Sequence, residues 1–190
     1  IALVLLTGTG LMVNTFIRLA GIDPGFDTKN LLTFELLLST GEYFEDKGTR
    51  GGIAIVRPSP RLPVVFEQVL DQLSQLPGVQ SAALSTTPPL SGWRHETEFI
   101  LDTNPKADPD AQLLSAAFHT VSTDFFHTLK VPLLQGRVFD SRDSSNAPWV
   151  VIVNESMARK YWPGSSPIGR YLTFRMPGEE RPRQVIGIAR

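Results

Sequence analysis

The chain has 190 residues, of which 42% are apolar and 19% are charged, and its net charge is −1. This length suits one domain with or without an anchor, and the apolar fraction is enough for a packed core. Because no cluster of Lys and Arg is present, the sequence excludes the basic surface that nucleic-acid binding requires, and a polybasic membrane patch. The absence of cysteine excludes disulfides, thiolate metal sites and cysteine nucleophiles.

The chain opens with an apolar run, residues 1–17, which carries no charged side chain and is followed by Arg18. A helix of this length spans roughly 25 Å, slightly less than the ~30 Å hydrocarbon core of a bilayer. A signal peptide would carry basic residues before the run, and a buried core helix rarely continues so long without a charge. The pattern predicts a truncated transmembrane helix over residues 1–20. Both ends of the sequence lie inside apolar runs, and we interpret the chain as a fragment.

A turn-rich segment leaves this helix and consists of Asp23, Pro24, Gly25, Phe26 and Asp27. Pro24 and Gly25 suit the two central positions of a type II turn, where proline presets the first residue and glycine accepts a positive φ. The segment is short and contains a residue that cannot rotate about φ. We predict that it is a rigid connection between the helix and the domain that follows.

The next part of the chain predicts a strand–helix–strand unit over residues 28–90. Asn30–Ser39 is nearly continuous in apolar residues, as in a strand buried on both faces. Leu62–Leu76 carries apolar residues at spacings of three and four and predicts an amphipathic helix. Val79–Ser85 predicts the second strand. The polar stretch between the first strand and the helix predicts a loop with a short strand at Ile53–Val56.

Short elements alternate after residue 90 and predict a second, mixed subdomain over residues 113–190. The predicted strands are Glu98–Leu101, Leu113–Val121, Trp149–Val153, Tyr171–Arg175 and Gln184–Ala189. The predicted helices are Thr123–Leu129, with Ser122 as its N-cap, and Glu155–Trp162, with Asn154 as its N-cap. The whole pattern is typical of an α+β fold, without an internal repeat.

Residues that could act in catalysis or bind a metal are scattered along the sequence and form no recognised active-site or metal-binding motif. His95, His119 and His127 lack the spacing of a metal site, and Asp140 with Asp143 lacks the distant Glu of a calcium loop. No phosphate-binding loop and no Gly-x-Ser-x-Gly motif is present. The aromatic residues Trp149, Tyr161 and Trp162 fit either a ligand platform or packing in the core or at an interface, and we favour packing. The sequence therefore predicts no catalytic residue, no cofactor and no metal.

Several short sequence segments, taken in chain order, resemble those of one protein family. They are LMVNTFIRL at 11–19, DPGFD at 23–27, LPGVQSAA at 76–83, PPLSG at 88–92, VSTDFF at 121–126, VPLLQGRVF at 131–139, VIVNESMARKYWP at 151–163, PIGR at 167–170 and VIGI at 185–188. This ordered combination is similar to MacB/FtsX-type ABC transporter permeases, in particular to the MacB-like periplasmic core domain of the large acidobacterial-type permeases. Residues 44–60 and 94–112 depart from the family's pattern.

The resemblance implies a fold and a function. The fold would be α+β, with a porter-like strand–helix–strand unit at 28–90 and a mixed subdomain at 113–190, preceded by the end of a transmembrane helix. Residues 21–190 would lie in the periplasm or extracytoplasmic space of a bacterial inner membrane. The implied partners are a cytoplasmic ABC ATPase subunit or domain, a second permease in a homodimer or heterodimer, and a periplasmic protein. The resemblance implies no catalytic residue in this domain, whose role would be to couple ATP hydrolysis to export.

Two other interpretations fit part of the sequence. A ligand-binding or sensor domain on a single membrane anchor would also show one apolar helix and no active site. It predicts a single membrane span in the complete reading frame, whereas a permease predicts several. A soluble hydrolase with a buried first helix would require a titratable constellation in a pocket, and the sequence offers none.

Overall fold

The structure is a computed structural model that describes residues 2–50, 53–92, 94–101, 113–144, 146–175 and 181–190. Its helices are α1 (Ala2–Ala20), α2 (Thr40–Tyr43), α3 (Arg61–Ser74), α4 (Phe125–Thr128) and α5 (Glu155–Tyr161). Its strands are β1 (Phe44–Arg50), β2 (Ile53–Pro58), β3 (Glu96–Leu101), β4 (Leu114–Ala117), β5 (Leu133–Gly136), β6 (Val150–Asn154), β7 (Tyr171–Phe174) and β8 (Pro182–Ala189). This mixture of helices and a mixed sheet confirms the predicted α+β class.

Strand β8 is the centre of the main sheet, whose hydrogen-bonded order is β4-β3-β7-β8-β5 with β6 also paired to β8. Parallel pairing with β6 extends from Gln184 to Ala189. Antiparallel pairing with β7 covers Pro182 to Gln184, and antiparallel pairing with β5 covers Gly187 to Ala189. Because a strand has only two edges, β6 takes one edge of β8, and β7 and β5 share the other.

The core lies between this sheet and helix α5. Phe99, Leu172 and Val185 from three strands are at most 1% exposed, and Trp162 at the end of α5 is 6% exposed. The ring of Tyr161 meets that of Phe99 edge to face, with 5.5 Å between their centroids. Tyr161 and Trp162 thus pack in the core, whereas Trp149 is half-buried and lies beneath the guanidinium groups of Arg181 and Arg183.

Helix α5 begins where the sequence predicted it, at the end of a buried strand. The side chain of Asn154 accepts a hydrogen bond from the backbone N–H of Met157 at 2.8 Å, which confirms Asn154 as the N-cap. Helix α4 differs in this respect, because the Ser122 hydroxyl accepts instead from the backbone N–H of Leu84 at 2.9 Å. The prediction that Ser122 caps this helix was wrong, since a distant backbone group takes its oxygen.

Helix α3 confirms the predicted amphipathic helix at 62–76, but the strands predicted on either side of it do not form. Residues 31–39 have no ladder partner in the described chain, and Leu32 and Leu37 are more than 80% exposed rather than buried. In the second segment, Ser85 makes one isolated bridge to Val121. The backbone of this segment bonds to residues 120–122, because Thr86 donates to the carbonyl of Thr120 and Ser122 donates to that of Leu84.

Strands β1 and β2 form a separate antiparallel hairpin where the sequence predicted a loop with only one short strand. The register shifts between Asp46 and Thr49, and Gly48 has a φ of 90° at this irregularity. A glycine in the left-handed region of one strand is typical of a β-bulge. The Gly-rich, polar composition conceals the hairpin because it lacks the alternation of apolar residues that marks a strand.

Helix α1 occupies the segment predicted to be a transmembrane helix. Its apolar side chains from Leu6 to Leu19 are between 52% and 77% exposed. The Thr15 hydroxyl donates to the carbonyl of Leu11 at 2.8 Å, which satisfies it within the helix. Over the described part of the chain, no helix has both the length and the apolar character needed to cross a membrane.

Candidate functional site

The predicted connection, residues Asp23–Asp27, is a well-defined turn in the structure, and we refer to it as the junction turn. The Asp23 carboxylate accepts a hydrogen bond from the backbone N–H of Gly25 at 2.9 Å. The Asp27 carboxylate accepts one from the backbone N–H of Lys29, also at 2.9 Å. Gly25 has a φ of 85°, as the second central position of a type II turn requires. Two aspartates and a Pro-Gly pair thus specify the turn locally.

One end of the junction turn is fixed to the segment that follows α4. The backbone N–H of Asp27 donates to the carbonyl of Leu129 at 2.9 Å, and Leu129 is only 6% exposed. The Lys130 ammonium donates to the Asp27 carboxylate at 2.7 Å. The hydrogen bond from Lys130, and then that from the Lys29 backbone, lower the pKa of Asp27 below its usual value. We call this set of contacts the inner anchor.

The other end of the turn is held by one ion pair. The Arg190 guanidinium lies 3.1 Å from the carboxylate of Asp23, and both side chains are more than half exposed. Arg190 directly follows β8, and its backbone N–H donates to the carbonyl of Pro132 at 3.0 Å. We call the Asp23–Arg190 pair the outer anchor.

Both anchors reach the same end of the main sheet. Leu133 pairs with Ala189 in the ladder between β5 and β8. Lys130 lies three positions before Leu133, and Arg190 lies one position after Ala189. The junction turn is therefore attached to the sheet where its central strand ends, through contacts that arrive from two directions along the chain.

The sequence pointed to the turn itself but not to the cations that hold it. Lys130 is 103 residues away from its partner Asp27 along the chain. Lys130 itself has a φ of 52°, in the left-handed region, but this backbone conformation cannot be recognised from the sequence. Phe26 is half-buried between the two aspartates. The structure thus brings together all the predicted residues and adds Leu129, Lys130 and Arg190.

A compact polar cluster occupies the loop after β5. The Arg137 guanidinium donates to both oxygens of the Asp143 carboxylate, at 2.6 and 2.7 Å, and Asp143 is 9% exposed. Arg142 donates to the Asp140 carboxylate from its side chain and from its backbone N–H, which lowers the pKa of Asp140. The hydrogen bonds from Arg137 lower the pKa of Asp143. With its carboxylates bound to arginines, the loop is a structural brace. In the described residues, no group of three His, Cys, Asp or Glu residues could hold a metal ion.

A groove of about 600 Å³ lies between α5 and the loop after it. Its floor is apolar and includes Leu134, Trp162 and Ile188. Its charged residues are Glu155 and Arg159, whose side chains form an ion pair with each other at 3.1 Å. Serine hydroxyls line the groove, but no histidine stands beside them to activate a nucleophile. The residues that line this groove therefore do not form a nucleophile and base pair.

Known proteins with similar sequences are exporters. Over 75 residues, 40% of this chain, it is 31% identical to the macrolide export ATP-binding/permease protein MacB of Neisseria gonorrhoeae. Over 67 residues it is 34% identical to the pyoverdine export ATP-binding/permease protein PvdT of Pseudomonas aeruginosa. These matches cover 11% and 10% of the relatives, so the chain corresponds to a small part of those proteins.

Two solved structures align with about two thirds of this chain. The periplasmic region of MacB from Actinobacillus actinomycetemcomitans aligns with 65% of this chain and 49% of its own length, with 20% identity and a TM-score of 0.48. The extracellular domain of the noncanonic ABC-type transporter YknZ from Gram-positive bacteria aligns with 65% of this chain and 56% of its own, with 17% identity and a TM-score of 0.44.

The model of one protein family matches nearly the whole chain. It describes the MacB-like periplasmic core domain, and the match extends over residues 11–190. This range includes the junction turn, both of its anchors and the complete main sheet. The family is a periplasmic domain of transporter permeases and is not itself catalytic. The chain belongs to the family of MacB-like periplasmic core domains.

Proposed function

We propose that this chain is the extracytoplasmic core domain of an ABC transporter permease, which couples ATP hydrolysis by a cytoplasmic partner ATPase to export of a substrate. The observation that carries the proposal is the family match over residues 11–190. In this proposal α1 belongs to the membrane-embedded part of the permease, and residues from about 21 onward lie outside the cytoplasm. The permease acts as a homodimer or heterodimer and contacts a further protein in the periplasm.

The junction turn supplies the mechanical connection that this function needs. ATP-driven movement reaches an extracytoplasmic domain only through the chain segments that enter it from the membrane. A segment with fixed backbone angles, tied to the domain by a backbone hydrogen bond and ion pairs, moves as part of the domain. In the proposed mechanism, a displacement of α1 is therefore passed to the end of β8 rather than absorbed by a flexible linker.

The coupling role is tested by replacing Pro24 and Gly25 with a flexible Gly-Ser linker in the full-length permease assembled with its ATPase. Hydrolysis should continue because the ATPase is untouched. Export should fall about fivefold or more, the lower range of typical coupling between distant sites. A matched control inserts the same linker after Gly164, an exposed position in the loop that follows α5. Unchanged export in the Pro24-Gly25 variant would refute the coupling role.

The substrate class is proposed from the names of the relatives, which are a macrolide exporter and a pyoverdine exporter. We propose a substrate similar to one of these two compounds. The assay compares macrolide resistance and siderophore secretion in a host that lacks its own exporters, with wild-type ATPase and with an inactive ATPase variant. ATPase-dependent protection or secretion of any compound in the panel supports export. Several membrane spans in the complete reading frame agree with a permease, whereas a single span indicates an anchored sensor.

A further inference from the structure

The direction in which α1 leaves the domain depends on the junction turn. Phe16 and Ile17, one turn before the end of α1, are 72% and 63% exposed. A methyl group added at Gly8 or at Gly10 would meet no described atom within 4 Å. Because α1 packs so little against the described domain, its connection to the sheet within the described residues is the junction turn with its two anchors.

The two anchors differ in their physical nature. The inner anchor combines a backbone hydrogen bond from Asp27 to Leu129 with the ion pair to Lys130. The Asp27 side chain is 31% exposed, and a backbone bond is not weakened by screening of charges. The outer anchor is a single ion pair, in which Asp23 is 57% and Arg190 is 56% exposed. Such an exposed pair is weak and is screened by salt.

We propose that the junction turn is a pivot fixed at Asp27, with a releasable tether between Asp23 and Arg190 that limits the tilt of α1 relative to the sheet. This inference rests on the proposed coupling role and assigns its parts. Lys130 and Arg190 are positioning residues, because they act through the turn. When the tether is closed, α1 and β8 move together. When it opens, α1 swings about the Asp27–Leu129 bond while the domain stays attached.

The size of the effect follows from the exposure of the tether. Exposed ion pairs shift a two-state population by between about 1.4-fold and about fivefold. The Debye length falls from about 10 Å in 0.1 M salt to about 3 Å in 1 M salt, close to the 3.1 Å separation of Asp23 and Arg190. High salt should therefore open the tether and leave the backbone bond at the pivot in place.

The experiment measures the distance between spin labels in the intact permease, in lipid nanodiscs with its ATPase. The labels are attached at Asn14→Cys on α1 and Glu98→Cys on β3, both exposed positions, after other cysteines have been replaced. The distance distribution is recorded in 0.1 M and in 1 M KCl for the wild type, Arg190→Gln and Lys130→Gln. Arg159→Gln is the control, because it removes another exposed ion pair, that with Glu155, far along the chain from the turn.

We expect the wild-type distribution to broaden in 1 M KCl and the Arg190→Gln distribution to be broad at both concentrations. Lys130→Gln should keep the mean distance and the salt response of the wild type, because the Asp27–Leu129 backbone bond holds the pivot without the ion pair, and Arg159→Gln should also match the wild type. A wild-type distribution that ignores salt, or an Arg190→Gln variant that still responds to it, would overturn the inference. These distances do not depend on transport. A flexible Pro24-Gly25 linker that leaves export intact would refute coupling even where the tether is present.

Discussion

Gly187 of β8 pairs with Gly136 of β5, and the substitution Gly187→Ala tests how the main sheet is held together. A Cβ added at this position would lie 2.5 Å from the carbonyl oxygen of Arg137 and 3.3 Å from side-chain carbons of Ile152 and Leu133. The first distance is shorter than any van der Waals contact, and the atom it meets is backbone. The two strands must therefore move apart to accept a methyl group.

The cost of Gly187→Ala has two parts. Overpacking of a well-packed interior costs about 1–3 kcal/mol. Separation of the strands also strains the hydrogen bond from the Arg137 N–H to the Ile186 carbonyl, 2.9 Å long, which contributes about 1 kcal/mol. Together these predict a loss of about 2–4 kcal/mol in the free energy of unfolding. For a domain of this size the melting temperature falls by roughly 5–15 °C.

The assay is thermal unfolding of the purified protein, followed by tryptophan fluorescence, to which Trp162, buried in the core, contributes. Gly41→Ala is the matched control, since its added methyl group meets no described atom within 4 Å. The control should change the melting temperature by no more than about 2 °C. A Gly187→Ala variant that melts with the control would show that β5 yields without cost, and the argument from close approach would fail.

Two further predictions concern the cluster after β5 and the cap of α5. The Arg137 guanidinium lowers the pKa of Asp143, so this carboxylate stabilises the fold above its unfolded pKa of about 4 and loses that contribution as the pH falls. Asp143→Asn should cost about 1–3 kcal/mol at pH 7 and flatten the acid-induced decline in urea-unfolding midpoint; an equally steep decline would contradict the assignment. Asn154→Ala should cost about 0.5–2 kcal/mol in urea unfolding, whereas Asn154→Ser retains a cap oxygen and most of the stability.

Local patterns predicted the elements whose cause is local. The stripe of apolar residues placed α3 at Arg61–Ser74, close to the predicted 62–76. The strand-end position of Asn154 predicted its role as a cap, because the accepting oxygen and the donating N–H are only three residues apart. The Asp and Pro-Gly content of the junction turn predicted a turn, and its hydrogen bonds within two residues are local; its rigidity stays a prediction.

Predictions failed where distant groups compete for the same atoms. Ser122 has the composition of a cap, but Leu84, 38 residues away, supplies the donor for its hydroxyl. Asn30–Ser39 has the composition of a buried strand, yet a ladder requires a neighbour, and the described chain places none beside it. Lys130 and Arg190 could not be predicted as anchors for the same reason, because their partners are distant and no local sequence pattern marks them.

In the proposed mechanism, β8 contributes both to the stability of the sheet and to coupling. It pairs with β5, β6 and β7, so a displacement of β8 carries three other strands with it. Its close approach to β5 requires glycine at position 187, and its end places Arg190 beside Asp23. In the proposed mechanism, a displacement of the junction turn therefore reaches β8. This strand resists deformation because both of its edges are hydrogen-bonded to neighbouring strands. If movement of α1 is to displace the whole domain, the proposed pivot at Asp27 must be attached to a strand that does not deform, and β8 meets this requirement.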